Sequence, residues 1–353
     1  MTAATGIGSW PGTDAGLAQR VVRDTLADGP EGLPFLPELP ARGPGSDLVG
    51  RAAALLSGLS VDLQPSGWRL VDHAGRDEER AVATMRRDLD DLAETFDGYT
   101  GPFKLAVSGP WTLAAELRLA RGERVVGDLG ASRDVAQSLA EGLRGHVADV
   151  RRLLPGARVV VQLDEPSLPA VLAGRLPTSS GYGAHRAVDP EEVQRRLAEV
   201  VAAAREASAG SGARAGAGAA AATEAGNAAA DVVVHCCAAQ VPVGLLRSAG
   251  AQALSLDTTL LDARAWEDVA GAVEAGVELW PGLAVPADRR GSVAALTAGL
   301  ERSWSEVGLE RERLLGVTLS PTCGLAGASP TQARETQVAV REAARSLAER
   351  IRS

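Results

Sequence analysis

Cysteine occurs only three times and lysine only once in these 353 residues. An odd and sparse cysteine set in a chain of this length does not build a disulfide framework, which points to a reduced, cytoplasmic setting. The single lysine, Lys104, reads as a trace of codon bias rather than of mechanism. Aromatic residues make up 3% of the chain, and six of them are Trp; two of these, Trp10 and Trp111, fall in motifs taken up below. No apolar run approaches the roughly 20 residues that span a bilayer. The N-terminus also lacks a basic stretch followed by an apolar one. A membrane partner and a secretory leader are therefore not expected. Positive charge is in deficit, with a net charge of −9, and this excludes a nucleic-acid partner, which needs basic stripes.

What is present has the make-up of an ordinary globular protein. Hydrophobic residues reach 45% and charged ones 23%, enough for one large α/β domain or two smaller ones. Apolar runs bounded by turn residues recur at 4–9, 33–38, 103–108, 158–163, 231–237, 253–256, 277–284 and 314–319. Helices are predicted from about residue 14, with Leu17, Val21, Val22 and Leu26 on one face, and from about 46. Others are predicted over 77–96, over 131–154 as far as the Pro155-Gly156 stop, and from about 330. Residues 60–73 look irregular or hairpin-like. Eight strands alternating with helical segments predict a single (β/α)8 TIM barrel over residues 1–353, with the active site at the C-terminal ends of the strands. A doubly wound open sheet is the alternative, but it would bring distant strand ends together less readily. One stretch breaks the pattern: about 208–230 is nearly all Ala, Gly and Ser, and reads as a flexible insertion.

The chemistry concentrates in Asp231-Val-Val-Val-His235-Cys236-Cys237, a β-branched run that ends in a histidine and two cysteines. The third cysteine stands in Leu319-Ser-Pro-Thr-Cys323-Gly-Leu-Ala-Gly327. Imidazole nitrogen and thiolate sulfur are ligands that zinc prefers, and three protein ligands leave a position for a substrate. The competing reading makes them small buried core residues, as free cysteine commonly is. The placement of every cysteine beside a histidine or in a Gly/Pro-flanked turn favours zinc. Strand alternation turns Cys236 away from His235 and Cys237, so Cys236 reads as a packed core thiol. Such a site has a definite use. A free thiol with a pKa near 8.5 is mostly protonated at neutral pH, and zinc coordination deprotonates it.

Five motifs carry a family resemblance. Gly6-Ile-Gly-Ser-Trp-Pro11 resembles the Ile-Gly-Ser-Phe-Pro that opens the catalytic barrel of cobalamin-independent methionine synthases. Val107-Ser-Gly-Pro-Trp-Thr112 is similar to that family's Thr-Gly-Pro-Val-Thr, and Gln162-Leu-Asp-Glu-Pro-Ser167 to its Gln-Ile-Asp-Glu-Pro-Ala. His235-Cys-Cys237 resembles its His-Met-Cys, and Thr322-Cys-Gly-Leu325 its Asp-Cys-Gly-Leu. The motifs stand in family order from residue 6 to residue 325, in what looks like the short, single-barrel form without the family's separate N-terminal barrel.

The resemblance implies a methyltransferase that forms methionine from homocysteine. It makes His235, Cys237 and Cys323 zinc ligands, with Asp257 where the family has a glutamate as fourth ligand. Ser9, Glu38 and Asp164 fall where the family holds the amino and carboxyl groups of homocysteine, and Asp164 is the candidate catalytic residue. For Glu38 a solvated loop carboxylate is the competing reading. Two departures bear on the methyl donor. Glu116 stands at the place of the tryptophan on which the family stacks its pterin, and no histidine stands near Ala284, where the family has its general acid. Trp111 is a substitute platform or a packing residue. The donor is therefore left between methyltetrahydrofolate and methylcobalamin or a corrinoid protein, with the corrinoid ahead because it needs no acid. Other function classes stay in view: a corrinoid-dependent methyltransferase acting on another thiol, a non-enzymatic zinc-binding barrel, and a decarboxylase of the uroporphyrinogen type.

Overall fold

A computed structural model describes residues 2–209, 230–285 and 293–353. The Ala/Gly-rich insertion expected at about 208–230 lies, apart from its ends, outside the described residues. In chain order the elements are β1 (Ala3–Ala4), α1 (Ala15–Leu26), α2 (Leu48–Ala53), the hairpin β2 (Ser60–Gln64) and β3 (Gly67–Val71), α3 (Arg76–Thr95), β4 (Pro102–Ser108), α4 (Pro110–Glu116) and α5 (Leu129–Leu153). There follow β5 (Arg158–Asp164), α6 (Leu168–Leu172), α7 (Pro190–Ala209), β6 (Val232–Cys236), α8 (Val243–Ser248), β7 (Ala253–Asp257), α9 (Ala263–Glu274), β8 (Glu278–Leu283), α10 (Val293–Glu306), β9 (Thr318–Pro321) and α11 (Pro330–Arg352). Aspartates cap several helices as sequence rules expect, with Asp14 accepting from Leu17 N at 2.8 Å and Asp128 from Gly130 N at 2.9 Å. Among the described residues, no helix is long and apolar enough to cross a membrane.

Among the described residues seven strands form one curled, all-parallel sheet in the order β1-β9-β8-β7-β6-β5-β4. The expected second strand, residues 33–38, is not a regular strand. It makes isolated parallel bridges instead, Gly32 with Ala4 at one edge of the sheet and Phe35 with Lys104 at the other. Pro34 and Pro37 remove ladder donors there, which explains why pairing stays local. Two further expectations are corrected. The first strand ends at Ala4 rather than Ser9, although Ser9 bridges Glu38 further on. Residues 311–316 form a 3-10 turn and β9 starts only at Thr318, an ambiguity that short apolar runs carry intrinsically. On α1 the buried stripe is Ala15, Ala18, Gln19, Val22 and Leu26, while Leu17 stays half exposed; small residues and a glutamine, rather than Leu17, face the core.

Alternation along the strands sorts side chains between two environments. Val159, Val161 and Leu163 of β5 and Val232, Val234 and Cys236 of β6 join a large apolar cluster with helix residues such as Leu139, Val193, Leu197 and Val340. The intervening residues fill the inside of the curl. Val160, Val233, Ala253 and Trp280 form an apolar floor with Leu33 and Ala230. Toward the carboxyl ends the inward positions turn polar, with Lys104, Gln162, His235, Ser255, Ser320 and Asp164 all buried. A buried polar layer above an apolar floor is where a site belongs in such an architecture.

Outside that layer, His146 on α5 is also buried, and burial, with the charge of Arg51 second, draws its pKa down to about 4. A base whose folded pKa lies below its unfolded value contributes stability that is lost as pH falls from about 6.5 through 4. The shift corresponds to on the order of 3 kcal/mol. Urea unfolding at pH 7 and pH 4.5 should therefore show a smaller acid loss for His146→Gln than for the wild-type protein. Equal losses would show that His146 is not the titrating group.

Candidate metal and substrate site

Cys237 lies one residue past β6 and Cys323 two residues past β9. Their Sγ atoms are 3.5 Å apart, although the residues are separated by 86 positions. The loop carrying Cys323 is docked on the segment that follows β1. Leu325 N donates to Ser9 O at 2.8 Å. A Cβ at Gly324 would stand 2.0 Å from Ser9 Oγ, so any larger residue beside Cys323 would have to displace that hydroxyl. Cys237 is half-buried and Cys323 exposed. The contact between the two thiols draws Cys323 down to about 6 and holds Cys237 up, burial adding to the latter. Cys236 points the other way into the core, as alternation requires, and burial pushes its thiol up to about 12.

His235, paired in register with Asp164 on β5 and Ser255 on β7, is buried on the inside of the curl. Its Nδ1 lies 3.0 Å from Ser255 O and 3.1 Å from Ser255 Oγ. A carbonyl oxygen only accepts, so Nδ1 carries the proton and Nε2 presents a lone pair. That Nε2 is buried and has no hydrogen-bond partner among the described residues. Burial and the charge of Lys104 draw the imidazole down to about 3, so it is neutral at physiological pH. An orphaned lone pair on a ring held by its other nitrogen is the arrangement of a metal-binding histidine. Two sulfurs bound at about 2.3 Å to one tetrahedral ion lie about 3.8 Å apart, close to the thiol separation here. Among the described residues, however, no three His, Cys, Asp or Glu side chains converge as a ready-made metal cluster. Asp257 ends β7, and its Oδ1 accepts from Thr259 N at 3.0 Å and Thr259 Oγ1 at 2.6 Å. It is near enough for its charge to oppose the Cys323 thiolate.

The carboxylates expected to hold substrate lie on the same side. Asp164 is buried, and its Oδ1 accepts from Gln162 Nε2 at 2.7 Å. Burial, reinforced by the charge of Glu38, holds its pKa well above the ordinary carboxylate range. Glu38 is buried rather than solvated, which removes the bland reading of it as an exposed loop carboxylate. Its backbone bridges the segment around Ser9, through Trp10 N to Glu38 O at 2.7 Å and Glu38 N to Gly8 O at 3.1 Å. Among the described residues Glu38 Oε1 has no hydrogen bond, with Arg51 Nε 3.6 Å away, and burial pushes the acid up to about 7.

Sequence reasoning left Glu165 without a role. Its buried carboxylate accepts from Trp111 N at 2.9 Å, Thr112 N at 2.7 Å and Thr112 Oγ1 at 2.9 Å, and so satisfies the first turn of α4. A Cβ at Gly109 would come within 2.5 Å of that carboxylate, which accounts for the glycine in Gly109-Pro-Trp-Thr. Trp111 is fully buried and donates from its indole to Val193 O at 2.8 Å. It is a packing residue with no free face. Glu116 ends α4 in an ion pair with Arg124 at 3.4 Å, and Ala284 is exposed at the end of β8.

No protein-family model matches this chain, and no curated protein sequence matches it. Among solved structures it is similar to a B12-independent methionine synthase from Shewanella sp. W3-18-1, solved in complex with selenomethionine. The match covers 100% of this chain and 98% of the other, with a TM-score of 0.58 and 13% sequence identity. The two share a fold. A cube-shaped designed protein cage (TM-score 0.27, 11% identity, covering 70% of this chain and 74% of that one) is too distant to bear on the argument. So is a GH20 beta-N-acetylhexosaminidase from Streptomyces coelicolor A3(2) (TM-score 0.25, 12% identity, covering 74% and 61%).

Two thiols 3.5 Å apart should join under mild oxidation. Treatment of metal-free protein with diamide should yield one intramolecular disulfide, found by peptide mapping between Cys237 and Cys323. Cys236→Ser should leave that bridge intact, and Cys237→Ser or Cys323→Ser should abolish it. A bridge involving Cys236 would contradict the strand register.

Proposed function

We propose that this chain is a zinc-dependent methyltransferase that forms methionine from homocysteine, built on a closed (β/α)8 barrel in which residues 32–38 act as the second strand. The observation that carries the reading is the meeting of Cys237 and Cys323 beside a buried, neutral His235 whose Nε2 has no partner among the described residues. This donor set suits zinc. His235, Cys237 and Cys323 would hold the ion, with Asp257 as a fourth ligand or close beside it. When bound, zinc lowers the pKa of a substrate thiol so that it presents a thiolate at neutral pH.

The remaining work falls to the chain's own groups. Asp164 and Glu38 pair with the substrate ammonium, and Ser9 holds the other polar group of the amino acid. Burial of these carboxylates makes such pairing stronger than it would be in water. The methyl group then passes in one in-line displacement. The sulfur–carbon bond forms as the donor–methyl bond breaks, and the donor leaves with the electron pair. This needs the donor held within reach and water kept out. Glu116 is tied to Arg124 and Ala284 carries no acid, which favours a donor whose leaving group needs no proton, methylcobalamin or a corrinoid protein over methyltetrahydrofolate. The end-to-end fold likeness to a methionine synthase bound to selenomethionine supports the same reading.

Metal analysis should find about one zinc per chain, lost in Cys237→Ser and in Cys323→Ser and retained in Cys236→Ser. Full occupancy in either of the first two would remove the proposed ligand set.

Homocysteine added to the zinc-loaded protein near pH 7 should release about one proton per site. Asp164→Asn should keep its zinc and lose homocysteine affinity by about 1.5–3 kcal/mol, the scale of a charged hydrogen bond. Separate assays with methylcobalamin and methyltetrahydrofolate identify the donor. No proton release, and no methionine from either donor, would sink the reading in favour of a methyltransferase acting on another thiol.

A further inference from the structure

Lys104, the only lysine in the chain, is fully buried on the inside of the curl. Its ammonium donates to Gly6 O at 2.5 Å, to Ile7 O at 2.9 Å and to Gln162 Oε1. All three of its N–H groups are thereby used, and it has no acceptor to offer. The end of the Gln162 amide that faces it must therefore be the oxygen. The amide nitrogen then points the other way, and it donates to Ile7 O at 2.9 Å and to Asp164 Oδ1 at 2.7 Å. Gln162 and Asp164 are two residues apart on β5 and so share a face. Gly6 and Ile7 lead directly into Ser9. One ammonium thus decides which end of an amide meets Asp164 and ties down the approach to Ser9.

The inside of such a barrel is usually filled by branched apolar residues. A cation there pays a desolvation cost, seen in a Lys104 pKa drawn down to about 7 against the opposing pull of Asp164 and Glu38. The ring of Phe35, 5.5 Å from Nζ, adds a cation–π contact. A side chain needed only to fill space would not require this many partners.

We infer that Lys104 is a positioning residue for the substrate clamp: by fixing the Gln162 amide it holds the Asp164 carboxylate, and the segment before Ser9, in the arrangement that receives an amino-acid ammonium. The inference rests on the reading above, in which Asp164 binds that ammonium.

Methionine is the probe, with binding measured by calorimetry on the wild-type protein and on Lys104→Met, Asp164→Asn and the double variant. Lys104→Met should bind at least tenfold more weakly than wild type, while the double variant stays within twofold of Asp164→Asn, because both changes act through one carboxylate. A merely structural lysine would weaken binding multiplicatively in the double variant, and that result overturns the inference. Should Lys104→Met fail to fold, labelling with [13Cε]lysine decides the matter, since one lysine gives one side-chain signal. Saturating methionine should shift it in the wild-type protein and not in Gln162→Leu. A wild-type signal unmoved at saturation overturns the inference. Wild-type binding with Lys104→Met unchanged removes it alone; a wild-type protein that binds no methionine removes the Asp164 reading and the inference together.

Discussion

Most side chains that point inside the curled sheet are cut off from water, and a polar group buried there costs free energy unless it finds its partner within the protein. The rest of the structure depends on that constraint. Gln162 meets it with Lys104 on one end of its amide and Asp164 and Ile7 on the other. Glu165 meets it by satisfying the first turn of α4. His235 meets it at Nδ1 through Ser255, and at Nε2 not at all. Glu38 Oε1 and Ser320 Oγ are left without a partner among the described residues as well, but only the orphaned nitrogen of His235 stands two residues from a thiol on the same strand face.

The same burial tunes the chemistry. It keeps the imidazole neutral, and therefore able to donate a lone pair, while it raises Asp164 and Glu38 toward the protonated form. A cationic group entering the site would favour the ionised carboxylates and be held by them. The floor of Val160, Val233, Ala253 and Trp280 beneath this layer is apolar and carries no such possibilities. The candidate site is confined to the carboxyl end of the sheet by the switch from apolar to polar inward residues.

Much of the fold could be read from the chain by itself. The β-branched runs at 158–163 and 231–237, the hairpin within 60–73 and the helix from Pro330 follow from local pattern and turn chemistry. Where reading failed, the cause was tertiary. Residues 33–38 have strand-like composition, but their prolines leave them bridging two edges locally. Leu17 looked like core, yet the smaller Ala15 and Ala18 let α1 approach closely and left Leu17 outside.

Of the site, sequence by itself determined the residue types. Histidine and cysteine at strand ends, an Asp-Glu pair after a Val-rich run and glycines at 109 and 324 are all visible in order along the chain. That Cys236 turns away from Cys237 followed from alternation alone. Only the tertiary structure decided that Cys323 meets Cys237 across 86 residues and that Glu38 is buried against the segment around Ser9. It alone decided that the lone lysine, which composition had dismissed, is buried in the polar layer and bonded to Gly6, Ile7 and Gln162. The physical reason is the same in each case. Local pattern sets which way a side chain points, whereas sheet curvature sets what it meets, and curvature is a property of all the strands together.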